Sequence, residues 1–303
     1  MSFEISTAFV QHYSTNIQLL LQQKGSLLRD KVTTQNYQGK AAKAVEQIGS
    51  TNAQVVAERH SDTPLISTKH DARWVFPNDY IWADLIDDED KLKMIIDPTS
   101  SYAINGAYAI GRAMDDEIIK QFFAQSKTGE NGTTGKNFME SQKVAAHFEA
   151  DTPSGMSVAK LREAKRILRA NEVDMDHDPL YCAITAQQEH ELLHDTHIIS
   201  KDFNYTPVLA DGKLSQFMGI QFVHIQRLTE DKDGMRACPM WSKSGMHLGI
   251  WNEINVAIDR RSDKRNATQI MVKGSFGATR LDEKKVVQIA CLEDTDKNKV
   301  TSK

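Results

Sequence analysis

Residues 36–76, NYQGKAAKAVEQIGSTNAQVVAERHSDTPLISTKHDARWVF, set the tightest limit on how this chain can fold. The large apolar residues up to Ile66, namely Val45, Ile48, Val55, Val56, Leu65 and Ile66, are scattered, and Lys43, Glu46, Glu58 and Arg59 sit among them. The short alternating pieces at 53–58 and 71–76, the second containing Trp74, read as strands, yet too few bulky side chains are present to build a core. A stretch of this length without a core is either disordered or an arm that packs on something else.

The rest of the chain has ample material for a core. Its 303 residues allow one large domain or two smaller ones, with 40% hydrophobic and 26% charged residues, as in soluble globular proteins. A net charge of −4 argues against a general affinity for nucleic acid. The cysteines, Cys182, Cys238 and Cys291, are odd in number and far apart, so a disulfide framework is not expected and a reducing compartment is. No basic segment followed by an apolar run opens the chain, and its apolar runs fall short of a membrane span, so an intracellular soluble protein is expected.

Residues 3–24 have the spacing of an amphipathic helix, with Phe9, Tyr13, Ile17 and Leu20 on one face and Gly25 stopping it. Asp97-Pro98 is a break, after which Thr99 or Ser100 can cap a long helix running to about Phe123. Its apolar face holds Ala107, Tyr108, Gly111, Met114, Ile118 and Phe122, and Arg112, Asp115, Asp116 and Lys120 are assigned to the other. Residues 127–137 form a glycine-rich turn. Ser157 caps a second helix, VAKLREAKRILRAN, with Val158, Leu161, Ala164 and Leu168 inward. LYCAIT then reads as a strand and QQEHELLHDTH as a short helix; GIQFVHI, MHLGIW, INVAID, TQIMVKGSFGATRL and VVQIAC read as strands. Helices in the first two thirds and strands in the last third make an α+β architecture.

One motif carries sharp chemistry. HELLH at 190–194 matches the zinc-peptidase pattern, in which His190 and His194 would share a zinc ion and Glu191 would activate its water. A third ligand is missing: Ser200 stands where the longer zincin pattern wants histidine, His197 lies past the expected helix end, and the next glutamate is Glu230. A short surface helix with solvated histidines is the simpler reading, and zinc metallopeptidase the alternative. The acidic run 87–90 with Asp115-Asp116-Glu117 lacks the spacing of a magnesium site and reads as a solvated or partner-facing surface, Asp88 and Asp90 included. GENGTTGK departs from a phosphate-binding loop and reads as a turn; DKDG at 231–234 departs from a calcium loop and reads as a hairpin turn. The basic face of Arg162, Lys165, Arg166 and Arg169 is the ground for a rival reading as a nucleic-acid-binding module, and reads more simply as a solvated helix face. No catalytic set and no cofactor follow.

Three segments carry a resemblance. ADLIDDEDKLKMIIDPTSSYAINGAYAIGRAMDDEII resembles the stretch that enters and forms the spine helix in one family of tailed-bacteriophage major capsid proteins, which have the Hong Kong 97-type fold. LSQFMGIQFVHIQRL is similar to that family's glycine-centred axial strand, and NATQIMVKGSFGATRLDEKKVVQIAC to its closing strands. The resemblance runs from Phe3 to Leu292. It implies an N-terminal arm at 1–34, an extended loop at 35–78, a peripheral domain with the spine helix at 79–156, an axial domain at 157–258, and peripheral return strands with the tail at 259–303.

It further implies a structural, non-enzymatic protein that self-assembles into pentamers and hexamers of an icosahedral shell. The shell encloses double-stranded DNA without sequence-specific binding, with no membrane, beside a portal and scaffolding or decoration proteins. Assembly in the bacterial host cytoplasm and residence in the virion follow. Lys43, Glu46, Glu58, Arg59, Trp74, Asp88 and Asp90 are the expected inter-subunit residues. Some relatives crosslink a loop lysine, but the surroundings of Lys40 and Lys43 do not match theirs, so that chemistry is not carried over.

Overall fold

The structure, a computed structural model, describes residues 22–53, 55, 65–87, 99–194, 214–231 and 234–293. Strands β1 (Thr33–Asn36), β2 (Ala42–Ile48), β3 (His70–Val75) and β4 (Asn78–Ile86) precede helix α1 (Thr99–Phe123). Strands β5 (Ser126–Thr128), β6 (Thr134–Lys136) and β7 (Lys143–Val144) lead to α2 (Val158–Ala170), then β8 (Leu180–Ile184) and α3 (Ala186–His194). The chain closes with β9 (Gln216–Phe217), β10 (Ile220–His224), β11 (Met235–Ser242), β12 (Met246–Arg261), β13 (Ala267–Arg280) and β14 (Val286–Leu292). The fold is α+β, but strands do not wait for the last third: β1–β4 come first. Most of the helix expected at 3–24 lies outside the described residues, as does most of the strand expected at 53–58.

The strands form three sheets, ordered β1-β12-β13-β4, β7-β14-β11-β8-β10-β9 and β2-β3-β5-β6. Helix α1 lies across the first. Its inward row does what the spacing requires, since Ile110, Met114, Ile118 and Phe122 are all buried. Fully burying each such side chain contributes about 1.5–3 kcal/mol. The crossing is close: a Cβ on Gly106 would stand 2.4 Å from the Trp82 ring and 2.6 Å from Val272, so only glycine fits there. Phe122 meets Trp241 of β11 with ring centroids 4.6 Å apart, which joins the first sheet to the second in one core.

Helix α2 covers β14 and β7 of the six-stranded sheet. Ser157 caps it, accepting from Lys160 N, and Leu161, Ala164, Ile167 and Leu168 are buried. The sheets group the strands differently from the division at 258/259. Strand β12 pairs with β13 along its length in the first sheet, while β14 pairs with β11 and β7 in the second. Pairing is settled through space by register, so a boundary drawn along the chain cannot follow it.

The face assigned to Asp116 is right. It is half-exposed and pairs with the half-exposed Arg227 guanidinium. Such a pair contributes little in water, so Asp116→Asn should fold normally and lose less than about 1 kcal/mol. Denaturant unfolding checks this, and a larger loss would mean that the pair carries structure.

Candidate assembly surface

The small sheet projects as an arm with a buried root and an exposed tip. Strands β2 and β3 pair antiparallel from Ala42↔Val75 to Ile48↔His70. At the root Val75 is 1% exposed; toward the tip Ile48 is 68%, Val55 95% and Leu65 94% exposed. Water contact with so many apolar side chains is unfavourable unless something else covers them. Lys43, Glu46 and Trp74 come together on this sheet: Lys43 Nζ lies 2.8 Å from Glu46 Oε1 and 5.8 Å from the centre of the Trp74 ring. Trp74 Nε1 donates to Gly129 O across the glycine-rich turn between β5 and β6, at 2.8 Å. Glu58, Arg59, Asp88 and Asp90 lie outside the described residues.

Charged groups hidden in the core hold the root. Arg73, 1% exposed, donates from Nε to Leu281 O at 2.8 Å and pairs through Nη2 with the buried Glu283 at 2.8 Å. Lys136 of β6 meets the same carboxylate at 3.0 Å. Arg280, fully buried, donates from Nη1 to Phe122 O at 2.6 Å and Ala124 O at 3.0 Å. It thus satisfies the free carbonyls where α1 ends and sits on the negative end of the helix dipole. Arm root, helix end and β13 end are locked at one node. None of these roles was read from the sequence, although an arginine inside the apolar piece DARWVF was the available signal.

The start of the described chain is fixed just as firmly. Asp115, assigned to the solvent face, is fully buried instead. Its carboxylate accepts from Ser26 Oγ at 2.5 Å, Leu27 N at 2.9 Å, Leu28 N at 3.1 Å and Gln23 Nε2. Burial raises its pKa, and the four donors pull it back. The chain crosses α1 here at Gly111, where a Cβ would stand 2.7 Å from the Gly25 backbone. Arg112 donates to Gln22 Oε1 at 2.7 Å and to Gln23 O at 3.2 Å. Gly111, Asp115 and Ile118 share one helical row, so the spacing already pointed Asp115 at whatever covers Gly111.

Beyond this crossing β1 runs parallel to β12. Buried His247 links the two: its Nδ1 is 3.1 Å from Thr33 Oγ1 and its Nε2 is 2.9 Å from the Tyr37 hydroxyl. Burial holds its pKa down to about 4, from 6.5. Between about pH 4 and 6.5 the folded protein therefore binds fewer protons than the unfolded chain. Stability rises with pH across that window and is lost on acidification. Melting temperatures across the window should fall less steeply with acid in His247→Gln than in the parent; parallel profiles would discount His247.

The HELLH segment is the helix expected, α3, with His190 and His194 exposed and Leu192 buried. Glu191 is not available to a metal-bound water. Its carboxylate accepts from Met156 N at 2.6 Å and from Gln187 Nε2 at 3.2 Å, fixing residues 154–156 against the helix. Buried Lys160 completes that clamp, donating to Ser154 O at 2.7 Å, Gly155 O at 2.9 Å and Ala290 O at 3.0 Å. His197 lies outside the described residues, and among those described no cluster of three or more His, Cys, Asp and Glu is placed to hold a metal.

The glycine-rich stretch and the basic run resolve as a turn and a helix face, while Lys232 and Asp233 of DKDG lie outside the described residues. Residues 129–133 connect the hairpin of β5 and β6. On α2, Arg166 pairs with Glu163 and Arg162 with Glu149, while Lys165 donates to Met218 O. All three cysteines are free and buried. Among the described residues no helix is long and apolar enough to cross a membrane.

Comparison with known proteins completes the description. The family model described as phage capsid protein matches residues 5–293. No curated protein matches the sequence. Among solved structures, the chain is similar to the capsid of cyanophage P-SCSP1u, at 15% identity and a TM-score of 0.73, with 93% of each chain covered. It is similar to the capsid of Ralstonia phage GP4, at 9% identity and a TM-score of 0.72, covering 94% of this chain and 96% of that one. Against the capsid asymmetric unit of cyanophage Pam1 the identity is 11% and the TM-score 0.69, covering 97% of this chain and 100% of the other.

Proposed function

The chain belongs to the phage capsid protein family, and from that premise we propose how its parts build a shell. It is a major capsid protein, a structural component of the virion and not an enzyme. Copies of it associate as pentamers and hexamers into a closed icosahedral shell that encloses double-stranded DNA without reading its sequence. Assembly takes place in the bacterial host cytoplasm, beside a portal and scaffolding or decoration proteins. The observation that carries this reading is the arm: a sheet with a charge-locked root and a tip whose Ile48, Val55 and Leu65 face solvent in the single chain.

The tip lies on a neighbouring copy, which covers those side chains, and Lys43, Glu46, Glu58, Arg59 and Trp74 contribute the contacts. Asp88 and Asp90 of the acidic run belong to the same set of proposed inter-subunit residues. Modest contacts suffice because each is repeated over the closed shell. The first sheet with α1 serves as the peripheral domain. The six-stranded sheet with α2 and α3 serves as the axial domain, which meets its copies around five- and six-fold axes. Electron microscopy of the purified protein tests the reading: closed shells of pentamers and hexamers are expected, and a protein that stays monomeric under all assembly conditions would refute it.

A further inference from the structure

We propose that His190 and His194 form an exposed two-histidine chelate for a divalent transition-metal ion, a binding site without hydrolytic chemistry. Residues four apart on a helix stand one turn above each other. Both imidazoles are exposed near the C-terminal end of α3, with ring centroids 5.2 Å apart. That separation suits a shared ion. A metal about 2.0–2.1 Å from one nitrogen of each ring lies about 3.2 Å from each ring centre, and two such arms at about 109° span about 5.2 Å. The rings stand edge to face at 84°, and exposed side chains turn on a fast timescale, so a modest rotation aims one nitrogen of each at the ion. Neither ring is engaged elsewhere by a hydrogen bond or ion pair with a described residue.

The site is separate from the peptidase arrangement its sequence suggests. Glu191 is turned to the other side, held by Met156 N and Gln187, and cannot serve as base for a metal-bound water. Water fills the coordination positions that the two imidazoles leave open, so the ion is exchangeable. Imidazole pairs favour copper over nickel and zinc, and nickel over earlier divalent ions.

Calorimetric titration of nickel chloride into chelator-washed, full-length protein tests the site. The parent should bind nickel, and His190→Ala and His194→Ala should each weaken binding at least about tenfold. His177→Ala, which removes an exposed imidazole paired with Asp174 elsewhere, should change it less than about twofold. Alanine favours helix, and circular dichroism confirms that each variant remains folded. Absence of nickel binding by the parent at millimolar metal, or equal affinity in the parent and both α3 variants, would overturn the site.

Discussion

Closed shells should disappear when residues 49–69 are replaced by a short Gly-Ser link, while the subunit keeps its fold. The segment removed joins β2 to β3 and includes Val55 and Leu65, 95% and 94% exposed, and Ile66, 44% exposed. Deleting side chains that face water in the single chain removes little from its core. The root remains, because Arg73, Glu283, Lys136 and Arg280 all lie outside the replaced segment. The far-ultraviolet circular dichroism should stay native, with a melting temperature within about 3 °C of the parent. On the proposed function these residues would cover a neighbour, and their loss would be repeated at every copy. Sedimentation distinguishes the outcomes: intact shells from the shortened protein, or a subunit that no longer folds, would each show that the arm is misplaced.

Replacing Asp115 by alanine should release residues 22–28 from α1 and lower stability by about 3 kcal/mol, the range for removing a buried group with charge-assisted partners. Four donors lose their acceptor together: Gln23 Nε2, Ser26 Oγ, Leu27 N and Leu28 N. Two are backbone N–H groups, and leaving that of the fully buried Leu28 unpaired is costly. For a chain of this size the melting temperature should fall by about 5 °C. Ser26→Ala removes one donor and should cost about 1 kcal/mol. Hydrogen exchange at Leu27 and Leu28 gives the specific readout. Unchanged protection of those amides in Asp115→Ala would mean that the carboxylate does not hold the segment.

These two predictions differ in how far the sequence leads toward them. The arm is legible because its defect is compositional: no arrangement of Val45, Ile48, Val55, Val56, Leu65 and Ile66 among that many polar residues builds a core. The role of Asp115 depends on what crosses α1 at Gly111, and the crossing segment lies some ninety residues away along the chain. A charged residue on a helix is assigned to solvent by default, and only a donor-rich partner brought in from elsewhere reverses that.

MRACPMWS is not among the strands expected from the sequence, yet β11 is central, and its pairing to β8 begins at Met240, just past Pro239. The glycine-rich turn lies where it is expected, between β5 and β6, but the acidic set at 115–117, expected at a surface, has two buried members, Asp115 and Glu117.

Local physics was enough for the long helix, the capped α2, the strand and short helix around HELLH and the closing strands β13 and β14, whereas MHLGIW and INVAID, read as two strands, form the single β12. Periodicity, caps and breakers are properties of neighbours in sequence, so they can be read there. Tertiary structure alone decided which sheet β14 joins, why Arg73 and Arg280 are buried, where Glu191 turns and what Asp115 holds. Each depends on polar groups distant in sequence satisfying one another where water is excluded, and a linear pattern does not encode that pairing.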